Sequence, residues 1–533
     1  MPGPASASFF NASEYLLDRH IRAGRGNRIA LTGVAGDVSY AGLAERVRHA
    51  ARGLRSLGLQ AEQRVVMVMT DSPEFVVVYL AAMRIGAVPV PISTMLRADD
   101  IAEILTDSRA RIVAVSGVYR DVVGSALSFP GVTEVMAVVT DDAEEAEPVA
   151  GLPTSALGRL PGDTTDEIYP TTADSPAFWL YTSGTTGTPK GAMHRHGAVR
   201  VVCETYGAQV LGITPADRCL SAAKAFFAYG LGNSVLFPLA AGATAVLEPS
   251  PSRPDVIAER ARAFAVTLFF AGPTFFSNML RAGLPPDALA RGGDGVRLAA
   301  SAGETLPSVL YRRWTSHFGI DILDGIGMTE MLHIFLSNRP GSVRPGTTGV
   351  AVPGYELRVL TDDGQQAPPG TPGTLFVRGE SAATGYWSRY DASRQVFQGE
   401  WLRTGDTYVV DADGYYACLG RTGDMLKASG IWVSPGEVES RLLAHADVAQ
   451  AVVVAANDTD GLEKPVAFVQ LNSGCLGDEE ALIAYCRLGL PSFKRPRRIV
   501  FVTEYPTTAT GKIRRVELRE QAAAILQAVG APG

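Results

Sequence analysis

The sequence predicts an α/β protein: a large N-terminal domain of parallel-rich sheets covered by helices, with a β-barrel-like subdomain, followed by a small α+β C-terminal domain. Through the first 300 residues, short runs rich in Val and Ile alternate with segments whose apolar residues recur at helical spacing. Such alternation is typical of βαβ units, in which helices cover both faces of a mainly parallel sheet. After about residue 345, strands punctuated by Gly and Pro replace this pattern.

The N-terminal elements are predicted from two periodicities. Helices are expected at 40–57 and 73–85, where apolar residues follow the helical repeat. Runs of β-branched residues predict strands at 64–69, 87–92, 112–115 and 243–247, and the later punctuated strands are expected at 356–360, 373–378 and 414–419. The later strands indicate an antiparallel or barrel-like subdomain.

The C-terminal region reads as a separate α+β unit. From Val433 onward the predicted order is helix, strand, strand, helix and strand, at 435–443, 449–455, 466–471, 479–489 and 498–502. Glycine recurs in a short polar stretch between Gly420 and Gly430, as a linker between two folded bodies requires. We therefore place one domain at 1–422 and a second at 423–533.

Composition excludes several classes of function. Hydrophobic residues make up 46% of the 533 residues, and 48 basic against 55 acidic residues give a net charge of −7. No overall basic field exists to hold nucleic acid or an anionic membrane. The longest apolar run that we find, Phe75–Met83, is far shorter than the roughly 20 residues that span a bilayer. Five cysteines without a Cys-x-x-Cys pair and the lack of an evident signal peptide favour a cytoplasmic protein.

The strongest local motif is Tyr181–Gly191, which directly follows an apolar run and so begins where a strand ends. Its glycines let the backbone approach a phosphate closely, its hydroxyls donate hydrogen bonds, and its lysine adds a positive charge. Pro189 stands before Lys190, where a Walker A loop requires Gly, so the common P-loop interpretation fails. The predicted phosphate-binding residues are Thr182, Ser183, Gly184, Thr185, Thr186, Gly187, Thr188 and Lys190.

With this motif the chain resembles the acyl-adenylate-forming superfamily, which contains acyl-CoA synthetases, peptide-synthetase adenylation domains and firefly-type luciferases. The resemblance covers nearly the whole chain, because further blocks follow in the expected order. They begin at Ser301, Asp324, Trp401, Gly420, Gly430 and Pro506. The resemblance implies ATP, Mg²⁺ and coenzyme A as the small molecules that the protein uses.

The resemblance assigns a role to each nucleotide-binding block. Asp406 is expected to accept hydrogen bonds from both ribose hydroxyls, with Arg421 beside it. Glu330 is the implied magnesium ligand together with Thr185, and Thr329 is expected to hold the α-phosphate. The implied adenine slot consists of Gly303, Glu304, Thr305, Asp324, Gly325, Ile326 and Gly327.

The C-terminal domain is implied to carry the residues of both half-reactions. Lys512, in a Gly-rich hairpin, is the expected catalytic cation, because the attacking carboxylate and the α-phosphate are both anionic. Lys427 lies on the face that the family turns toward the active site for thioester formation. Gly430 and Trp432 are expected to line the pantetheine tunnel, where a missing side chain leaves room for the thiol arm.

The hinge of this domain departs from the family pattern. Where the family usually has the first residue of an Asp-Asp pair, this chain has Gly423 followed by Asp424. Glycine permits the rotation, but it cannot make the hydrogen bonds with which an aspartate favours one conformer. We therefore expect an altered balance between the two domain orientations.

The residues that select the acid resemble those of benzoate-CoA ligases more than those of fatty-acyl or acetyl-CoA ligases. Aromatic and aliphatic side chains are expected to form a flat apolar slot, with Tyr229 and His333 as polar groups. The predicted substrate residues are Phe226, Ala228, Tyr229, Gly230, Ala302, Met328, His333 and Ile334, with Phe227 and Phe335 as further walls. Met328 stands where benzoate ligases are expected to have a small residue, so the ring substituents, as in anthranilate or a hydroxybenzoate, remain open.

Two other functions compete with an aryl-acid:CoA ligase. An aryl-acid adenylating enzyme would load the phosphopantetheine of a carrier protein instead of free CoA, and the sequence discriminates only weakly between the two acceptors. A nucleotide-binding module without turnover is the third hypothesis. The presence of both Lys512 and Glu330 argues against it.

The role of Lys512 generates a prediction that separates the two half-reactions. Lys512→Ala should slow adenylate formation, because the cation that offsets repulsion at the α-phosphorus is lost. Thiolysis of a preformed aryl-adenylate should be largely retained. Single-turnover assays of each step check this, and equal losses in both would refute the assignment.

Overall fold

The structure, a computed structural model, describes residues 8–142, 147–161, 167–182, 188–291, 294–423, 426–428, 431–457, 463–507 and 513–529. Parallel-rich sheets covered by helices form most of the chain before residue 345, and the predicted α/β class is confirmed. Within these ranges, no helix has both the length and the apolar character needed to cross a bilayer.

The first sheet of the described chain has five strands, all parallel. Its interior strands are built from Val- and Ile-rich runs that are buried on both faces, as expected for a sheet covered by helices on each side. The strand order is Val88–Pro91, Arg64–Val68, Ile112–Val115, Ala137–Thr140 and Thr154–Ala156. The three strands predicted here lie at the expected positions.

A second sheet, with nine strands in the described ranges, forms the larger part of the N-terminal region. Its centre is parallel, and antiparallel strands close both edges. The strand order is Val350–Ala351, Ile334–Ser337, Ile322–Gly327, Leu298–Ser301, Leu268–Ala271, Arg218–Ser221, Thr244–Leu247, Ile29–Gly33 and Val38–Ser39. A separate antiparallel hairpin pairs Pro176–Thr182 with Lys190–Arg195.

The helices that cover these sheets begin where the sequence provides caps. Ser39 accepts a hydrogen bond from the amide of Gly42, and Ser72 accepts one from Phe75 with Pro73 in the first turn. The N-terminal helices are Ala12–Leu16, Asp18–Arg22, Tyr40–Ser56, Pro73–Arg84, Ala98–Ser108, Arg120–Leu127, His196–Val202, Ala228–Leu231, Phe237–Ala241, Pro254–Ala263, Pro273–Arg281, Ser308–Phe318 and Tyr390–Val396. The two helices predicted from periodicity end within one residue of their expected limits.

An antiparallel sheet follows, as the punctuated strands predicted. Within the described residues its strands are Glu356–Leu360, Gly373–Arg378, Trp401–Val410, Phe397–Gln398 and Tyr416–Arg421. Trp401–Val410 is the central strand, pairing with three of the others. Asp406 on this strand is therefore paired with Arg421 on the neighbouring strand.

The C-terminal unit packs helices on a small sheet of the strands Val448–Asn457, Glu463–Leu471 and Arg498–Phe501. Its helices are Pro435–Leu443, Glu479–Arg487 and Arg515–Val529, the last of which was not predicted. A short hairpin, Leu426–Ala428 with Ile431–Val433, precedes it. Arg519 on the last helix donates a hydrogen bond of 3.2 Å to the carbonyl oxygen of Gly423, so a contact reaches the expected hinge. The division of the chain at residue 423 stays a prediction.

A buried histidine joins two of the N-terminal helices. The Nδ1 atom of the fully buried His196 accepts a hydrogen bond of 3.0 Å from the amide of Ala12, and an imidazolium has no free acceptor with which to do this. Burial lowers the pKa of His196 to about 4. The folded state therefore holds the neutral ring at pH values where an unfolded histidine is already protonated.

This shift predicts how stability depends on pH. Between pH 6.5 and about 4 the unfolded state binds the extra proton, so stability falls as pH is lowered through that window. At the low-pH limit, the shifted pKa of His196 lowers the free energy of unfolding by about 3 kcal/mol. His196→Asn keeps an acceptor for Ala12 but cannot titrate, so its urea midpoint should fall less between pH 7 and pH 4.5. If the urea midpoints of the two proteins fell by the same amount over this pH range, the prediction would be contradicted.

Candidate active site

The phosphate motif connects the two strands of the Pro176–Thr182 hairpin. Thr182 and Lys190 pair at the end of the hairpin nearest this motif, Thr188 is exposed and Lys190 is half-buried. Ser183, Gly184, Thr185, Thr186 and Gly187 lie outside the described residues.

The base of this motif is anchored to a helix of the first sheet. The Tyr181 hydroxyl donates to Oδ2 of Asp107 at 2.6 Å, and Arg389 binds Oδ1 of the same carboxylate at 2.7 Å. Burial, the Asp107 hydrogen bond and the Asp107 charge raise the pKa of the Tyr181 phenol, so it remains a donor. The strand entering the phosphate motif therefore has a fixed direction.

Thr329 and Glu330 lie in a short turn, Thr329–Met331, directly after the strand Ile322–Gly327. Glu330 is 7% exposed, and its Oε1 accepts a hydrogen bond from the Tyr386 hydroxyl. The carbonyl oxygen of Thr329 is bonded to Nε2 of the buried His194 at 2.8 Å. Backbone and side-chain contacts thus hold the turn on two sides.

The two adenine blocks meet at the carboxyl ends of neighbouring parallel strands. Ser301 pairs with Asp324 in register, so the residues that follow, Gly303–Thr305 and Gly325–Gly327, lie side by side. Gly303 has φ +93°, and the three residues Gly303, Glu304 and Thr305 are exposed. The slot is therefore open on one side.

Asp324 is 5% exposed, and its Oδ1 atom has no hydrogen-bond partner among the described residues. Burial raises the pKa of this carboxyl well above its usual range. A buried acceptor of this kind requires a donor to satisfy it. The exocyclic amino group of adenine is such a donor, and the position fits the sequence-based assignment.

Asp406 and Arg421 are cross-strand partners in the antiparallel sheet, with Nε of Arg421 3.2 Å from Oδ1 of Asp406. Tyr408 lies two residues after Asp406 on the same strand. Burial raises the pKa of its phenol, and Cys418, Asp406 and Asp324 raise it further.

The predicted acid slot is built around His333, which is 2% exposed. The rings of Tyr206, Tyr229 and Phe237 surround it at centroid distances of 5.4, 5.5 and 4.5 Å. Its Nε2 atom bonds to the carbonyl oxygen of Tyr229 at 3.3 Å, so Nε2 must carry the proton and Nδ1 is the bare acceptor. Burial lowers the pKa of His333 to about 3, which leaves the ring neutral.

The other predicted substrate residues lie on the elements that enclose this histidine. Tyr229 donates to the carbonyl oxygen of Ala300 at 2.8 Å, which fixes the phenol against the sheet. Ala228 and Gly230 lie in the same short helix, and Phe226 precedes it. Ala302 and Met328 directly follow the strands Leu298–Ser301 and Ile322–Gly327.

One expectation for the slot differs from the structure. Ile334 and Phe335 are consecutive on a strand, so their side chains point to opposite faces and do not form one wall. Phe335 is fully buried, with its ring 6.4 Å from that of Tyr355. It fills the core, whereas Ile334 packs beside Gly325.

Two known protein families match most of the chain. The model of the AMP-binding enzyme family matches residues 17–387, and that of the AMP-binding enzyme C-terminal domain matches residues 437–512. The chain belongs to the AMP-binding enzyme family.

Relatives with defined names cover almost the whole of this AMP-binding enzyme. A benzoate-CoA ligase of Thauera aromatica is 44% identical over 516 residues, which are 96% of each chain. The structure is similar to that of a benzoate CoA ligase from Burkholderia xenovorans, with a TM-score of 0.87, 40% identity, and 96% and 100% of the two chains covered. It is also similar to the anthranilate CoA ligase AuaEII in complex with anthranoyl-AMP, with a TM-score of 0.90, 36% identity and coverage of 97% and 98%.

The C-terminal site residues of this AMP-binding enzyme are only partly described. Lys427 pairs with Trp432 across the short hairpin before the C-terminal unit, but their side chains lie outside the described set. Gly430 and Lys512 lie outside the described residues altogether. Their assigned roles stay predictions.

Three residues that were not among the predicted substrate residues also pack around His333. Gly232 packs against the His333 ring: a Cβ there would lie 2.6 Å from Nε2 and closer still to Cδ2. Tyr206 and Phe237 complete the enclosure. The sequence did carry one signal, since Gly230 and Gly232 both interrupt a helical pattern, which indicates a close approach of other atoms.

The contact between Gly232 and His333 generates a prediction. Gly232→Ala should displace the imidazole and raise the KM of the acid substrate about tenfold, because overpacking a buried site costs on the order of 1–3 kcal/mol. The KM of ATP should change little. Gly158→Ala is the matched control, because a Cβ there meets nothing within 4 Å. Steady-state kinetics of both variants measure these KM values. An unchanged KM of the acid in Gly232→Ala would contradict the contact between Gly232 and His333.

Proposed function

We propose that the protein is an ATP-dependent aryl-acid:CoA ligase. An aromatic carboxylate and ATP form an aryl-adenylate and pyrophosphate, and the thiol of CoA then displaces AMP to give the aryl-CoA thioester. The proposal rests on the aromatic rings that enclose the neutral His333. The strand beside them, Ile322–Gly327, contains Asp324 and precedes Glu330. Relatives of this chain are named as ligases of benzoate and of anthranilate with CoA.

The slot favours an aromatic monocarboxylic acid. Rings and aliphatic groups supply its walls, and burial keeps the pKa of His333 at about 3, so this histidine offers no positive charge to a second carboxylate. A dicarboxylic acid would leave its second anion unpaired, at a large desolvation cost. Benzoate, or a benzoate with a small substituent, fits these walls.

The bare Nδ1 atom of His333 bears on the choice of ring substituent. It is a buried acceptor with no partner among the described residues. A substituent that reaches it must donate a hydrogen bond, as the amino group of anthranilate and the hydroxyl of a hydroxybenzoate do. We therefore include both substituent types in the proposed substrate range.

Adenylation requires the acid carboxylate to approach the α-phosphorus of ATP in line with the departing pyrophosphate. Lys190 and Lys512 are the proposed cations that offset the repulsion between these anions, and Thr329 orients the α-phosphate. Glu330 would hold Mg²⁺, which neutralises charge on the phosphate oxygens when it is bound. A single protein carboxylate suffices, because Mg²⁺ at such sites is completed by phosphate oxygens and water.

CoA is the proposed acceptor, and carrier-protein phosphopantetheine is the alternative outcome. Two cations on the surface of the C-terminal unit are engaged in ion pairs. Lys494 binds Glu437 at 2.6 Å and Arg498 binds Glu479 at 2.8 Å. The thiol of either acceptor requires reducing conditions, and the free state of all five cysteines accords with the proposed cytoplasmic location.

The proposal predicts the outcome of one set of assays. Exchange of labelled pyrophosphate into ATP should be strong with benzoate and with amino- or hydroxybenzoates, and at background with malonate, acetate and hexanoate. Adding CoA should convert the adenylate to aryl-CoA and AMP, whereas a phosphopantetheinylated carrier should remain unloaded. Absence of exchange with every aromatic acid would refute the function, and carrier loading in preference to CoA would refute the acceptor.

A further inference from the structure

The segment Ala383–Trp387 runs beside the strand that leaves the phosphate motif. The amide of Thr384 donates to the carbonyl oxygen of Met193 at 2.9 Å, and the amide of Met193 donates to the carbonyl oxygen of Gly385 at 3.0 Å. An isolated antiparallel bridge joins Tyr386 to Ala192. The segment therefore adds a third extended chain to the hairpin that carries Lys190.

The same segment is bonded to the turn that contains Glu330. The amide of Ala383 donates to the carbonyl oxygen of Glu330 at 2.8 Å, and the Tyr386 hydroxyl donates to its Oε1. Both side chains are buried, at 8% exposure for Tyr386 and 7% for Glu330. A hydrogen bond to a carboxylate in such surroundings is charge-assisted and strongly directional.

The ring of Tyr386 faces the phosphate motif as well. Nζ of Lys190 lies 5.8 Å from its centroid, within the range of a cation–π contact. Phe397 packs edge-on against the ring at 5.5 Å, which restricts its rotation. One side chain therefore contacts the phosphate-motif cation with its face and the Glu330 carboxylate with its hydroxyl.

The two oxygens of the Glu330 carboxylate have different surroundings. Oε1 accepts the hydrogen bond from the Tyr386 hydroxyl. Oε2 receives no hydrogen bond from any described residue. A buried carboxylate with one oxygen held and the other available suits a hard cation such as Mg²⁺.

We propose that Tyr386 is a positioning residue for magnesium-ATP: its hydroxyl orients Glu330 toward the metal, and its ring sets Lys190 relative to the same phosphates. The inference rests on the proposed function, in which Glu330 holds Mg²⁺. Groups that orient a metal ligand typically change metal affinity by about 10- to 100-fold when they are removed. Tyr386 should therefore act on metal binding through Glu330.

The test uses the full chain with Tyr386→Phe, which removes the hydroxyl and keeps the ring and its contact with Lys190. Binding of Mn²⁺ is measured by electron paramagnetic resonance in the presence of a non-hydrolysable ATP analogue, so no turnover is needed. The variant should bind Mn²⁺ about tenfold or more weakly. A circular dichroism spectrum like that of the wild type shows that the fold is retained. Tyr390→Phe is the matched control, because Tyr390 belongs to the following helix, is 71% exposed and should leave Mn²⁺ affinity unchanged.

A double-mutant cycle separates positioning from a merely structural role. In a Glu330→Gln background, Tyr386→Phe should have no further effect on Mn²⁺ affinity, because the carboxylate through which it acts is gone. An equal effect in both backgrounds, or an unchanged affinity in the single variant, would overturn the inference. Failure of the wild type to exchange pyrophosphate would instead refute the proposed function, since the binding measurements are independent of turnover.

Discussion

The repulsion between anions is the constraint on which the arrangement of this protein depends. In the proposed reaction a carboxylate must reach the phosphorus of a polyanionic nucleotide, and the site proposed to hold the nucleotide contains Asp324, Glu330 and Asp406, all buried. Two of these carboxylates have a partner: Asp406 contacts Arg421, and Glu330 accepts a hydrogen bond from Tyr386. Asp324 differs, because burial raises the pKa of its carboxyl and favours the neutral form. The proposed site therefore limits its own negative charge, by pairing two carboxylates and by favouring the neutral form of the third.

The predicted acid slot also limits charge, because the histidine within it, His333, is neutral. Three aromatic rings and a buried backbone surround His333 so closely that an imidazolium would lose its hydration without gaining a counter-ion. Glycine makes this closeness possible. Gly232 lies against the imidazole ring, and a Cβ at Gly327 would lie 2.6 Å from the His333 carbonyl oxygen. Aromatic rings and absent side chains together give His333 closely packed, apolar surroundings.

The candidate site was predicted from sequence because the residues proposed for it lie in short continuous motifs. The phosphate motif, the Asp324 block and the Asp406 block each combine glycine with a charged residue over a few positions. The residues that support these motifs are distant in the chain: Asp107 binds Tyr181 from 74 positions away, and Tyr386 binds Glu330 from 56. No local pattern marks such a pair, because the hydrogen bond exists only once the sheets are assembled. Phe335 shows the same limit, since a run of apolar residues does not reveal which face each one occupies.

The sequence by itself determined the α/β class and the positions of the strands and helices that were predicted from it, and it proposed the residues that contact a nucleotide. Periodicity, caps and glycine placement are local properties, so they act before any long-range contact forms. The tertiary structure alone decided the neutral state of His333, the cross-strand contact of Asp406 with Arg421, and the anchoring of Glu330 by Tyr386. These depend on burial and on the register of strands far apart in the chain, and both arise only when the packed sheets exclude water.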